Sequence, residues 1–462
     1  MNMRVVIIGA GQAGFAAAAK LRQEKFEGTI TVLGAEKEMP YQRPPLSKAY
    51  LLGKLSAERL SLRSADFYEQ QGIELRPDEP ALSIDRAGKT VETSRSQLPY
   101  DHLVLATGSN PVRLPASMTE GVPSIFHLRN KADADALRPL LVQGARLLVV
   151  GGGYVGLEVA AAARQVGAAV TLVEMAPRIL NRVAAEPTAA YFRELHRSQG
   201  VDIRESTGLI RLEADGAAVT AALEDGSSLS FDAVVVGIGV RPETGLAEDA
   251  GLDTNGGILV DAFGRASDPA VWAAGDCASF QHAGEMIRIE SVPHAIDQAE
   301  HVARNILGAN VPYRPRPWFW SDQYATKLQI AGLNRGYDRT ATRPGAMEGS
   351  MTVSYLCGDR LLAVDCLNDA RSFMQAKRSL GLRRSQSPIT PPTRADESSA
   401  LSAEAARSGP ALRVRRTRTG FTTRSYVITW LAASIRGPAG PRRDRRQVHS
   451  RQSGRSELPR PC

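Results

Sequence analysis

Residues 5–14 read VVIIGAGQAG, and residues 149–158 read VVGGGYVGLE. Each stretch is an apolar run ending in glycines at GxGxxG spacing: Gly9, Gly11 and Gly14, then Gly151, Gly153 and Gly156. In such a unit the first glycine permits a tight turn, the second lets the backbone approach a diphosphate, and the third lets helix and strand pack closely. The phosphate rests on free backbone N–H groups at the positive end of the helix. One such match is a weak signal. Here each set follows a strand-like run, RVVIIG or RLLVVG. Each opens a helical stretch, AGFAAAAKLRQ or YVGLEVAAAARQVG, and leads to a second strand, TITVLG or AVTLVE. Two βαβ units with parallel crossovers constrain the chain more than any other feature, and two cradles imply two dinucleotides.

A carboxylate about 20 residues beyond such a turn accepts a ribose hydroxyl. Glu174 closes AVTLVE in that position. After the first set, Gly34-Ala35-Glu36 follows ITVL, so Glu36 is the nearest acid, though a solvated turn residue is an equal reading of it. A carboxylate at Glu174 favours NADH and repels the 2′-phosphate of NADPH. Arg178 and Arg182 follow soon after and would soften that preference.

Companion strands close on glycine turns after each unit: YDHLVLATGSNP (100–111), FDAVVVGIGVRP (231–242) and PAVWAAGDCASF (269–280), the last expected as one strand. Residues 316–382 change character, with alternating runs such as MTVSYL and RLLAVD, which predicts an antiparallel sheet with one solvated face. The predicted fold class is α/β: two Rossmann-like dinucleotide-binding domains plus a small α+β C-terminal domain. A chain of 462 residues has room for this.

No apolar run reaches the roughly 18–20 residues that cross a bilayer. The longest candidate, SYVITWLAASI at 425–435, is shorter and contains polar positions. The N-terminus enters a strand at Arg4 with no room for a cleaved leader, so a cytoplasmic protein with no membrane partner is expected. Cys277, Cys357, Cys366 and Cys462 form no CxxC pair, which argues against a disulfide scaffold, a metal site and a redox dithiol together. Buried, inert thiols are expected instead.

The formal charge of +8 is carried by the C-terminal part. Residues 383–462 hold seventeen Arg, no Lys and five acids, which leaves 1–382 mildly acidic, with no nucleic acid expected as a partner of that body. SQSPITPPTRADESSA and PRRDRRQ lack a hydrophobic period and offer little to offset the entropy of ordering, so 383–462 reads as a disordered Arg-rich tail. Its Lys-free composition is what an out-of-frame reading of GC-rich coding DNA gives. A basic tail that binds nucleic acid or membrane, and a folded extra module, are the rival readings.

Beyond the two cradles, the stretches PYQRPPLSKAYL (40–51), LVLATGSNP, VDAFGRASDPAVWAAGDCA (260–278), IESVPHAIDQA (289–299) and PWFWSDQY (317–324) make the chain resemble the FAD-dependent pyridine-nucleotide reductases. The resemblance is to the ferredoxin reductases that serve bacterial oxygenases and cytochromes P450, and spans roughly 4–380. It implies a discontinuous FAD-binding domain over 1–112 and 243–315. It further implies an NAD-binding domain over 113–242 and a C-terminal interface domain over 316–382. Gly9, Gly11, Ala13 and Gly14 would face the FAD diphosphate. Arg43, Ala81 and Arg129 match flavin-binding positions, and Lys48 would reach the isoalloxazine. Asp276 would bind the ribityl chain and Val292 the ring. Gly151, Gly153, Tyr154, Gly156 and Glu174 would hold NAD, with Glu158 beside the nicotinamide and Trp320 near the flavin. Relatives often place an acid where this chain has Ala35, so the FAD ribose contact falls to Glu36 or is missing.

These roles are compatible with the residues. Pro44-Pro45 give Lys48 a rigid mount, and its charge suits an anionic reduced flavin. Asp276 could equally cap a helix, Trp320 could be plain core, Glu158 could serve only the helix N-terminus, and Lys48 could be an ordinary surface lysine. The implied activity is hydride transfer from NADH to FAD with donor and acceptor about 3–3.5 Å apart, then single electrons to a small acidic [2Fe–2S] ferredoxin. The alternatives are a flavin NADH oxidase, a rubredoxin or nitrite reductase component, and a non-catalytic nucleotide sensor. Metal ligands are not expected, and the sequence leaves the oligomeric state open.

Overall fold

The computed structural model describes residues 3–381, so the Arg-rich stretch 383–462 and Cys462 lie outside the described residues. The first apolar run forms β1 (Arg4–Ile8), buried from Val5 onward. The turn at Gly9 leads into α1 (Gln12–Gln23), and the chain returns as β2 (Thr29–Leu33), parallel to β1 with Val6 opposite Thr31. β3 (Ile73–Arg76) and β4 (His102–Leu105) join them in the order β4-β1-β2-β3. All neighbours are parallel, as continuous apolar runs covered on both faces require.

The second unit repeats the design. β5 (Ile125–Phe126) is followed by β6 (Arg146–Val150), α2 (Tyr154–Gln165) and β7 (Ala169–Glu174). Then come α3 (Glu186–Ser198), β8 (Val201–Glu205) and β9 (Ala233–Val236). The order is β8-β7-β6-β9-β5, again all parallel. The chain passes between the two sheets along Ser109–Pro111 and returns along Val240–Pro242, and these two segments pair antiparallel.

The stretch 269–280, expected as one strand, is two. β10 (Val271–Ala273) pairs with β4 in the first sheet, while Ala278–His282 belongs to a small three-stranded sheet. Gly275 breaks the run at φ +85°, a conformation that disfavours any side chain, and its amide donates to Gln298 Oε1 at 2.8 Å. The break turns Asp276 out of the sheet.

α4 (Val292–Ile306) then packs on α1. Ala13, Ala16, Ala17 and Ala18 of α1 meet Ala295, Ala299, Val302 and Ala303 of α4, so small side chains bring the two helix backbones close. The C-terminal sheet comprises β11 (Trp318–Gln323), β12 (Thr326–Gly332), β13 (Arg339–Pro344), β14 (Met351–Cys357) and β15 (Arg360–Leu367). It is antiparallel in the order β11-β12-β15-β14-β13, as the alternating pattern predicts, with α5 (Ala370–Gly381) packed against it.

Two of the three described cysteines, Cys277 and Cys366, are buried. Cys357 is exposed, against expectation, because it is the last residue of β14 before the Gly358–Asp359 hairpin turn. No described helix is long and apolar enough to cross a membrane.

Candidate active site

The two glycine sets adopt the same geometry. Gly9 has φ +113° and Gly151 φ +106°. A Cβ on Gly9 would lie 2.2 Å from Ala106 O, and one on Gly151 2.5 Å from Gly237 O. The third glycines are as tightly held, since a Cβ on Gly14 would meet Gly9 O at 1.9 Å and one on Gly156 would meet Gly151 O at 2.1 Å. The middle glycines differ. A Cβ on Gly11 would touch nothing within 4 Å, and one on Gly153 would find only Gly237 O at 3.9 Å. Both are N-caps without a side-chain cap, and neither helix has an acid in its first turn. Each helix therefore ends in free N–H donors beneath a space that only a missing side chain leaves open. That fits a diphosphate at each end.

Glu174 supports the second cradle from the end of β7. Its Oε2 accepts from Gly152 N at 2.7 Å and its Oε1 from Ala176 N at 2.8 Å. The neighbouring Arg178 turns away from it to pair with Glu186 at 3.3 Å.

Both cradles open on one cavity of about 490 Å³. Gly9, Gly11, Ala13, Glu36, Arg43 and Lys48 line it from the first unit, together with Arg129, Asp276 and Val292. Gly153, Tyr154 and Glu158 line it from α2, and Trp320 from β11. Gly14, Gly151, Gly156 and Glu174 stand behind the wall, and Ala81, on the strand Ala81–Asp85, does not line it. Glu36 is in the wall, but its carboxylate is already engaged. Oε1 pairs with Arg43 at 2.5 Å and Oε2 accepts from Tyr41 OH at 2.6 Å. Arg129 lies 3.5 Å from Asp276. Burial, then the nearby Arg43 cation, lower the pKa of Arg129, with Asp276 opposing. Two guanidinium groups beside one cavity suit an anionic ligand.

The centre of the site is an ion pair between a buried carboxylate, Glu158, and a half-buried lysine, Lys48. Pro44–Ser47 form a 3₁₀ turn that ends at Lys48, and Lys48 Nζ lies 2.5 Å from Glu158 Oε2. Ser47 Oγ donates to the same oxygen at 2.5 Å, and Ser321 Oγ donates to Glu158 Oε1 at 2.6 Å. Lys48 also reaches Pro44 O at 3.2 Å. The partnership between α2 and β11 has a simple cause. Four residues of helix rise about 6 Å and two residues of strand about 6.6 Å, so positions i and i+4 on one match i and i+2 on the other. Tyr154 packs tilted against Phe319 with ring centroids 4.9 Å apart, and Glu158 meets Ser321. Trp320, between them on the strand, tilts against Trp318 at 5.6 Å.

Behind Tyr154 lies a second buried group. Asp365 accepts from Tyr355 OH at 2.5 Å and from Thr188 Oγ1 at 2.7 Å. Burial pushes its pKa up to about 6, with the Tyr355 and Thr188 hydroxyls opposing. Its Oδ1 and the Tyr154 hydroxyl are both buried without a partner. Burial first, then the Asp365 charge, raise the Tyr154 pKa well above its ordinary value.

Ser47 and Ser321 are functional neighbours that sequence reasoning did not single out. Both stand in stretches that carried the resemblance, PPLSK and FWSDQY, and adjacency to Lys48 and Trp320 was the available signal.

Residues 3–299 match the family described as pyridine nucleotide-disulphide oxidoreductase, and residues 318–405 match the reductase C-terminal family. The chain belongs to the pyridine nucleotide-disulphide oxidoreductases, enzymes that use FAD and NAD(H). It is 44% identical to putidaredoxin reductase of Pseudomonas putida over 405 residues, which is 86% of this chain and 95% of that protein. Rhodocoxin reductase of Rhodococcus erythropolis is 42% identical over 398 residues, 85% of this chain and 92% of its own length. The crystal structure of a covalent putidaredoxin reductase–putidaredoxin complex is similar with a TM-score of 0.81 and 40% identity, covering 88% of this chain and 100% of that one.

Proposed function

We propose that this chain is an NADH-dependent ferredoxin reductase whose electrons go singly to a [2Fe–2S] ferredoxin serving a cytochrome P450 or a ring-hydroxylating oxygenase. The observation that carries the reading is the Lys48–Glu158 pair on the wall of one cavity that both nucleotide cradles open into. FAD, when bound, supplies the hydride acceptor and the one-electron donor.

The chain's own residues supply position and charge. The Gly11 cradle would hold the FAD diphosphate, with Arg43 and Arg129 adding positive charge. The Gly153 cradle would hold NADH, with Glu174 favouring it over NADPH. Lys48, fixed by its pair with Glu158, sets a cation in the cavity wall that favours added negative charge. Tyr154, Phe319 and Trp320 crowd the wall with aromatic surface that excludes water. No described cysteine lines this cavity, which weighs against a dithiol relay within the described residues. In this reading 1–112 with 243–315 form the FAD-binding domain, 113–242 the NAD-binding domain and 316–382 the interface domain. The cytoplasm, where pyridine nucleotide is supplied, is the compartment that fits.

The test is an anaerobic titration of the purified yellow protein with NADH, then NADPH, followed by turnover with a [2Fe–2S] ferredoxin against O₂ alone. Flavin bleaching by NADH and faster turnover with ferredoxin support the proposal. A protein that stays colourless after added FAD sinks it, and turnover with O₂ alone at the ferredoxin rate makes it an oxidase.

A further inference from the structure

We infer that His196 is a positioning residue for the Lys48–Glu158 pair and acts on it through Gln323 and Ser321. His196 lies on α3, fully buried, more than 100 residues of chain from Gln323. Its Nε2 is 2.8 Å from Gln323 Oε1, Gln323 Nε2 is 3.2 Å from Ser321 Oγ, and Ser321 Oγ is 2.6 Å from Glu158 Oε1. Gln323 and Ser321 are buried as well. They stand on the same face of β11, two residues apart, so the strand carries the contact from the helix to the cavity wall.

Donor and acceptor rules fix the direction of every link. The Glu158 carboxylate, paired with Lys48, only accepts, so Ser321 spends its single hydrogen on Oε1. Ser321 Oγ then accepts, and the amide of Gln323 must turn its NH₂ toward it. That leaves Gln323 Oε1 facing His196, so Nε2 must carry the ring proton and Nδ1 must be the acceptor. Tyr324 OH, 3.5 Å from Nδ1, is placed to donate to it, and the two rings pack edge to face at 5.1 Å. Burial pushes the His196 pKa down to about 4, so the ring stays neutral in a single tautomer near neutral pH. All the dipoles point their positive ends at Glu158, and such aligned chains strengthen one another. A primary amide in the middle makes this a holding device rather than a proton path. Its effect is to keep Glu158, and through it the Lys48 ammonium, at one place in the wall.

This rests on the reading of the cavity as the flavin and nicotinamide site, and the test separates the two. The full-length, FAD-loaded protein is labelled with ¹⁵N-histidine, and long-range ¹H–¹⁵N spectra, assigned by comparison with H196Q, report the His196 tautomer. The Nε2–H form is expected at pH 7 and still at pH 5. In anaerobic stopped flow, H196F is expected to slow flavin reduction about five- to tenfold, the worth of one hydrogen bond, with the NADH dissociation constant unchanged. H196Q, whose amide NH₂ replaces the Nε2 donor, is expected to restore the rate to within about twofold. S321A is expected to match H196F, with no further loss in the double variant. An Nδ1–H or charged His196 overturns the inference, as does a parental rate in H196F, failure of H196Q to rescue, or additive losses. If H196F does not fold, the parental tautomer and S321A decide. If NADH fails to reduce the parental flavin, the proposed function falls, while the tautomer still judges the chain of contacts.

Discussion

Lys48 Nζ and Glu158 Oε2 lie 2.5 Å apart, although 110 residues separate them in sequence. Glu158 is buried and holds Ser47 and Ser321 as well, so the pair is supported from both sides. Replacing Lys48 by Met removes the cation and leaves a carboxylate without its charge partner, a change that costs far more than an exposed pair would. Flavin reduction by NADH should slow about tenfold to a hundredfold, with KM for NADH little changed, because the Gly153 cradle is untouched. Stopped-flow absorbance checks this, and an unchanged rate would mean that the pair is merely structural.

The middle glycines separate the two cofactors. G11A adds a methyl group where the fold leaves open space, so the fold should persist while FAD content falls. G153A should stay yellow yet bind NADH poorly, raising its dissociation constant at least tenfold, about 1.4 kcal/mol or more. G14A and G156A, whose Cβ would collide with the backbone, should instead lower the melting temperature and the yield of folded protein. Flavin absorbance, NADH titration and thermal melting distinguish the three outcomes.

Two buried histidines predict acid sensitivity. Burial pushes both His196 and His294 down to about 4, so the fold favours their neutral forms while the unfolded chain takes up protons below about 6.5. The stability they contribute is complete above about pH 6.5 and is lost as pH falls toward 4, on the order of 3 kcal/mol for each. Denaturant melts between pH 7 and pH 4.5 should show this slope, and it should flatten in H294Q by the share of one histidine.

Asp365 predicts the opposite sign. Its folded pKa is raised to about 6 from an ordinary value of 3.8, so it costs stability as pH rises through that window. D365N keeps an oxygen for Tyr355 and Thr188 and removes a buried charge whose Oδ1 has no partner. It should raise stability by about 1–3 kcal/mol at pH 8 and by nothing below about pH 4, as measured by denaturant melts. A loss of stability at pH 8 would contradict it.

The two cradles were legible because glycine spacing and apolar runs are local, and local geometry decides them. Gly9 and Gly151 at positive φ are what the first position of the motif demands. Lys48 reaches the cavity through a turn that the Pro-Pro pair announces in the chain itself, whereas the turn at Gly275 that aims Asp276 lies inside a run that reads as one strand. The partners of Glu158 were not legible. Ser321, Gln323 and His196 become a connected set only when β11 docks on α2 and α3, and nothing within any one segment encodes that meeting. Glu36 shows the same limit. The sequence leaves it between a ribose contact and a solvated turn, and the fold puts it in the cavity wall, where Tyr41 and Arg43 engage it from a loop whose return path is set by tertiary packing.

The assembly of Glu158 from three remote pieces also says something about time. Its contacts span 110 residues to Lys48 and 163 to Ser321, and such distant loops close slowly and late. Helices, whose hydrogen bonds are local, can form before either contact exists. On refolding, the yellow band should therefore return after the far-ultraviolet signal has recovered, so that colour records the last stage of maturation rather than the first.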